Sequence, residues 1–393
     1  MLPHGLAAPP AGGRPGSLHS VITTDVRRAV WAAAQTAAAA GELPVPAWHT
    51  AAGELPPALP AAGQRDAGAR PADASTLRPV PPALGGGPGR YASTLPYLLA
   101  APGTAPGQVA AILAARLAGL DWIAEATGAA GHLTITVTGE ALAALAVRIP
   151  QAPDCARSDI LRGLRLPAPA AGGLASAAGW RQAQARLAAE VTARLAERAG
   201  AEIYPERLPP APAPAPAAST EIAAALAYAG PDAVRYALAS RSRGWRAGER
   251  AELPVRHHPG NPAYAVRYAH AHAASTLRQA ADLGLGAGPA AEFAACPLSH
   301  PAERALLGAL SWLPERVAWA ARIARPAGFA RYLEELAGAY QDCRESCPAL
   351  PSGGRRAPRD RPATRARLWL VTAAATAIAA GLDLLGISAP ARL

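Results

Sequence analysis

The sequence predicts a mainly α protein, in which an all-α helical bundle fills the C-terminal part and a small α+β domain precedes it. Three observations lead there. Helical apolar periodicity runs almost unbroken from Glu221 onward, one clean strand at 132–138 lies between two helical segments, and a Pro/Ala run at 209–216 separates the regions. At 393 residues the chain has room for two or three domains. Its composition is rich in Ala but holds only 2 Phe and 1 Met, so the cores must rest on Leu, Val, Trp and Tyr.

A helix is expected over 25–40, with Asp25 in its first turn and Gly41 as its stop. Residues 1–24 and 44–89 are Pro/Gly-rich and expected to be poorly ordered. Order returns at Arg90 and Tyr91, and 106–120 reads as a helix with Val109, Ile112, Leu113, Arg116 and Leu117 at helical spacing. In 132–138 Leu133, Ile135 and Val137 alternate with Thr134, Thr136 and Thr138, giving one buried and one polar face. A helical segment over 140–149 then closes an α+β domain spanning 1–150.

Residues 151–218 read as a Pro/Ala-rich linker with one helix over 180–198, and PPAPAPAP at 209–216 as an extended spacer. Asn261 is a good N-cap with Pro262 at the first helical position, opening a helix to about 281. Further helices follow over 301–324, with a break near Pro314, then over 328–345 and 364–382. In the segment 328–345, Phe329, Tyr332, Leu333, Leu336 and Tyr340 form one apolar stripe. Short connections between such helices imply antiparallel neighbours.

All 38 basic residues are Arg, which excludes chemistry that needs a catalytic Lys, a P-loop Lys or a Schiff base. With 4 Cys a disulfide scaffold is excluded too. Cys343 and Cys347 lie one helical turn apart without a second Cys/His pair, and read as buried thiols rather than a zinc site. His257, His258, His270 and His272 crowd one region, but His270 and His272 point to different faces of a helix. They read as structural or RNA-facing, not as metal ligands. GGGPG at 85–89 and GLGAG at 284–288 read as flexible turns, since neither follows a strand and opens a helix. No nucleophile elbow is present, and no catalytic, cofactor or metal residue is assigned. The N-terminal residues lack a secretory pattern, and the apolar run 368–382 is too short to span a bilayer. A cytoplasmic protein without a membrane partner is expected; oligomeric state is left open.

The formal charge is +10 and the pI about 10.1. Arg241, Arg243 and Arg246 belong to one Arg cluster, and Arg355, Arg356, Arg365 and Arg367 to another that runs into the last helix. From charge alone two readings stand: guanidinium groups meeting phosphates, or soluble loops shaped by a high-GC coding bias. Tyr264, Tyr268 and His272 fall at i, i+4 and i+8, one stripe of a helix. Such a stripe stacks unpaired bases or packs a bundle, and its spacing fits both.

Five blocks carry a resemblance: GPDAVRYALASRSRGW (230–245), NPAYAVRYAHAHAASTLRQA (261–280), HPAERALLGALSWLPERV (300–317), RYLEELAGAYQDCRESCPAL (331–350) and ARLWLVTAAATAIAAGLDLLGISAPARL (366–393). In that order they resemble arginyl-tRNA synthetases. The first resembles the end of the catalytic region (219–256), and the rest a DALR anticodon-binding bundle of the class I synthetase type (257–393). More weakly, 90–117 with GHLTITVT at 131–138 resembles the family's additional N-terminal domain, which helps hold the tRNA elbow. Arg90 stands where the family usually carries an acidic residue.

Between these regions the resemblance breaks. The family's HxGH and KMSKS-type motifs are absent, and only about 70 residues stand where a Rossmann catalytic domain is expected. In the block beginning at Asn261, Ala265 replaces an aromatic, Arg267 a Gln and His272 an Arg, while Leu393 replaces a terminal Met. The resemblance implies a non-catalytic tRNA-binding paralogue without a cofactor, its RNA contacts at Tyr264, Arg267, Tyr268, His270, His272, Arg365, Arg367 and Leu393. Arg241, Arg243, Arg246, Arg355 and Arg356 would add phosphate contacts, and arginine tRNA is the first candidate partner. The alternatives are an ATP-dependent arginine–tRNA ligase, and a protein-interaction module that has lost RNA binding.

Overall fold

The computed structural model describes residues 23–43, 77–80, 85–169, 172–205, 219–240, 261–350 and 362–393. Helix α1 (Thr23–Ala39) buries Val26, Val30, Trp31 and Ala37, and the chain leaves it through Gly41 at φ 74°. Strands β1 (Leu77–Pro79), β2 (Arg90–Ser93), β3 (Ile123–Ala129) and β4 (His132–Val137) make an antiparallel sheet in the order β1-β2-β4-β3. Helices α2 (Leu95–Leu99) and α3 (Pro106–Leu117) connect β2 to β3, and α3 packs on the sheet. Leu133, Ile135 and Val137 are buried as their alternation predicts.

Three of the four strands of this sheet escape the sequence reading, which places a return of order at Arg90 and Tyr91 but no strand β2. β3 is IAEATGA, too poor in strong apolar residues to show a period of two. Its hairpin is set by Ala130 and Gly131, at φ 47° and 80°, the left-handed pair of a two-residue turn. β1 corrects the expectation of poor order across 44–89: Leu77 is buried, and its ladder to β2 orders residues whose own sequence carries no strand signal. The expected helix over 140–149 is two short ones, α4 (Gly139–Ala143) and α5 (Leu145–Gln151), with Thr138 capping the first through Oγ1.

The linker reading of 151–218 also needs correction within the described residues. β5 (Arg165–Pro167) pairs in parallel with β6 (Glu202–Tyr204), and α6 (Trp180–Arg198) lies between them in sequence. Leu187, Val191 and Leu195 form an i, i+4, i+8 line buried to 1% exposure or less, with Ala183, Ala196 and Ala199 beside them. The helix over 180–198 is found as expected; the Ala/Pro composition masks its burial, because small residues contribute little apolar signal while letting helices approach closely. The expected spacer at 209–216 lies outside the described residues.

Helix α7 (Thr220–Ala239) is kinked at Gly230, φ 79°, before Pro231. Asn261 caps α8 (Pro262–Asp282), its side chain accepting from the backbone N–H groups of Ala263 and Tyr264. α9 (Pro301–Ser311) and α10 (Leu313–Arg322) divide at Trp312, one residue before the Leu313-Pro314 pair that opens α10. In α11 (Pro326–Ser346) all five residues of the apolar stripe are buried. α12 (Pro362–Leu385) is long and apolar enough to cross a membrane by length and composition, beyond what the run 368–382 suggested. It lies instead against α5, α8 and α11 as a core helix, with 61% of its apolar window buried.

The sheet and the bundle share one core. Tyr91 of β2 is fully buried, donates to Ser311 Oγ at 3.0 Å and lies 5.4 Å from the Trp312 ring. Thr23 donates to the Ser311 carbonyl at 3.2 Å, and Arg27 pairs with Glu315 at 3.4 Å with exposures of 7% and 3%. The GGGPG turn has a packing role: a Cβ added at Gly308 would come within 3.0 Å of Pro88, so α9 accepts the turn only where it lacks a side chain.

Candidate nucleic-acid interface

Capping by Asn261 starts α8 so that positions 264, 268 and 272 rise in one line. Tyr264 and Tyr268 stack at 5.6 Å between centroids and 23° between planes, and His272 continues the line 6.0 Å beyond. All three are half-buried. Across from them, α11 contributes Tyr340, whose ring lies 5.9 Å from His272, and Arg344, whose guanidinium sits 5.8 Å above the Tyr268 ring. Stripe and bundle packing are therefore both real. Tyr268 and His272 meet α11 through Arg344 and Tyr340, and all three residues of the line keep part of their surface exposed.

Proton positions on His272 follow from its partners. Arg344 Nη1 lies 2.8 Å from Nε2, and a guanidinium only donates, so Nε2 accepts and the imidazole is neutral. Nδ1 then carries the proton and donates to Tyr340 Oη at 3.0 Å. Burial, and next the Arg344 charge, hold the His272 pKa below its ordinary value. A cavity of about 210 Å³ opens beside these groups between α8, α9, α11 and α12. Tyr340 and Arg344 were absent from the sequence-based site. The available signal was position: Arg344 follows Tyr340 by one helical turn, on the edge of the apolar stripe.

Arg267 and His270 lie away from the aromatic line. Arg267 donates to Ser388 Oγ at 3.3 Å and pairs with Asp232 at 3.4 Å. His270 Nδ1 donates to the Pro390 carbonyl at 2.9 Å, and the Ser388 N–H donates to Asp232 at 3.2 Å. Together they clamp the last residues onto α7 and α8, leaving Leu393 about half exposed at 47%.

Arg365 pairs with Glu292 at 2.9 Å, near the surface. Arg367 donates through Nε to Glu303 at 2.7 Å, and Glu303 has no exposed surface. The same carboxylate accepts from the His300 N–H at 3.0 Å in the capping box that begins α9. Arg241, Arg243, Arg246, Arg355 and Arg356 lie outside the described residues, as do His257 and His258. Burial pushes the Cys343 thiol up to about 12 and Cys155 to about 11, so both are protonated near neutrality and poor nucleophiles. Among the described residues no three His, Cys, Asp or Glu side chains gather as a metal site.

Comparison with known proteins places these helices. Residues 266–393 match the family model of the DALR anticodon binding domain. The arginine–tRNA ligase of Frankia alni is 42% identical over 165 residues, covering 42% of this chain and 29% of that protein. The arginine–tRNA ligase of Paenarthrobacter aurescens is 38% identical over 171 residues, covering 43% and 30%. The chain thus spans less than a third of the length of these relatives. A solved arginyl-tRNA synthetase from Thermus thermophilus aligns at TM-score 0.32 and 24% identity, covering 58% of this chain and 34% of that one.

Proposed function

We propose that this chain, whose residues 266–393 match the DALR anticodon binding domain and which is similar over that part to arginine–tRNA ligases, binds tRNA without charging it. The observation that carries the reading is the half-open line Tyr264–Tyr268–His272, with Arg344 lying over one ring, inside that domain. Aromatic faces and a guanidinium plane are the surfaces on which unpaired bases stack, each worth about 1–3 kcal/mol. The charge of +10 supplies the long-range attraction to a phosphate backbone. The absence of Lys, and of an HxGH pattern among the 9 His, supports a protein that holds RNA and leaves adenylate formation to others. The reading calls for no cofactor and places the protein in the cytoplasm, with arginine tRNA as the first partner to test.

Titrating an unmodified arginine tRNA transcript at increasing salt tests this directly. Binding is expected to weaken linearly in a logarithmic plot as counterions are released. ATP–pyrophosphate exchange with arginine is expected to stay at background. Salt-independent binding, or none, defeats the RNA reading; robust arginine-dependent exchange defeats the non-catalytic one.

A further inference from the structure

We propose that the cavity between α8, α9, α11 and α12 is a pocket for one unpaired guanine, read by Arg344. The inference rests on the RNA-binding reading above and narrows it to a base. The cavity, about 210 Å³, is walled by Leu306, Leu370 and Val371, with Tyr340 among its lining groups and Arg344 contributing the fork. Arg367 lines the cavity too, but its Nε is given to Glu303 and its Nη1 to the Pro348 carbonyl, so the Leu and Val walls suit a flat base better than a hydrated phosphate.

Arg344 is fixed before any ligand arrives. Its Nε donates to Gln341, one Nη1 hydrogen goes to His272 Nε2, and its plane lies over Tyr268. Glu345 stands 3.8 Å from Nη2 and is 69% exposed, too far for a hydrogen bond. Among the described residues no hydrogen bond takes the remaining N–H groups of the fork. His272 positions the fork, since a neutral Nε2 can accept from it.

A guanidinium has donors only. Its best match on a base is an edge with two adjacent acceptors, which is O6 and N7 of guanine. Adenine sets an N6 amino donor beside N7, and so opposes the fork. Cytosine offers O2 and N3 but flanks them with its own amino donor, and a pyrimidine covers less of the Leu and Tyr surface. Gln279 also lines the cavity, with its amide nitrogen turned to Ser275 at 3.4 Å, which leaves its carbonyl to accept a guanine N–H.

The test uses the full chain and four heptamers of equal charge: oligouridine, and oligouridine with a central G, A or C. Fluorescence anisotropy at fixed low salt is expected to show the G heptamer binding at least about fivefold tighter than the other three. Arg344→Lys keeps the charge and loses the fork, so the ratio of G-heptamer to oligouridine affinity is expected to fall to about one, whatever the change in oligouridine affinity itself. Equal affinities, or a preference for A or C, overturn the guanine pocket while leaving RNA binding in place. So does a Lys variant that keeps the G preference, or one that weakens all four alike, which would assign Arg344 to phosphate. Failure of every heptamer and of tRNA to bind removes the RNA reading and this inference together.

Discussion

Replacing Arg367 by Ala destabilises the chain by about 3 kcal/mol, the low end of the cost of stranding a buried charge. Glu303 has no exposed surface and its carboxylate is shared between Arg367 at 2.7 Å and the His300 N–H at 3.0 Å. Removing the guanidinium leaves the carboxylate without its counter-charge. The low end applies because Arg367 itself is 28% exposed, so water can enter part of the space it vacates. Glu303→Gln in the Arg367→Ala background is expected to restore most of the loss, since the amide carbonyl still accepts from the His300 backbone and no charge remains to be neutralised. Urea unfolding reads this as a fall in midpoint at unchanged slope. A loss below about 0.5 kcal/mol would mean that the pair is worth no more than an ordinary surface contact. It follows that Arg367→Ala weakens RNA binding chiefly through the fold, while Arg365, paired near the surface with Glu292, is the better probe of phosphate contact.

Arg27→Ala is expected to cost about 3–5 kcal/mol, because Glu315 is left buried across the join between α1 and α10. The two residues stand 288 positions apart in the chain, so their pairing makes the sheet and the bundle unfold together. Replacing both, Arg27→Met with Glu315→Leu, is expected to recover most of the stability, as apolar groups of similar volume commonly do for buried pairs. Calorimetry separates this from a local effect. Wild type should unfold in one transition, and Arg27→Ala should shift that transition or split the sheet from the bundle. A shift of less than about 0.5 kcal/mol in the single variant would contradict a shared core held by this pair.

Elements with strong local signals were legible in the sequence. The Asn261-Pro262 cap, the 180–198 helix and the α11 stripe each follow from the side chains of one segment. What could not be read depends on partners distant in sequence. β3 forms because β4 pairs with it, and α6, legible as a helix, packs on α10, a partner its own sequence does not name. Tyr91 marks where order returns in the sequence, but only the fold makes it a strand residue whose hydroxyl ends on Ser311. The stripe on α8 was visible as a spacing, yet its chemistry depends on Arg344, brought over Tyr268 from α11. Arg267 and His270 share that helix and look alike in sequence, but the fold turns them to the C-terminal residues.

RNA bound as proposed lies along Tyr264, Tyr268 and the mouth of the cavity beside His272. Ultraviolet crosslinking of bound tRNA, followed by mass spectrometry of the crosslinked peptides, tests it most directly. Crosslinks are expected at Tyr264 or Tyr268 on α8, lost in favour of uncrosslinked peptide when Tyr268 is replaced by Ala together with Tyr264. Crosslinks confined to the N-terminal sheet, with α8 and α11 untouched, would contradict it.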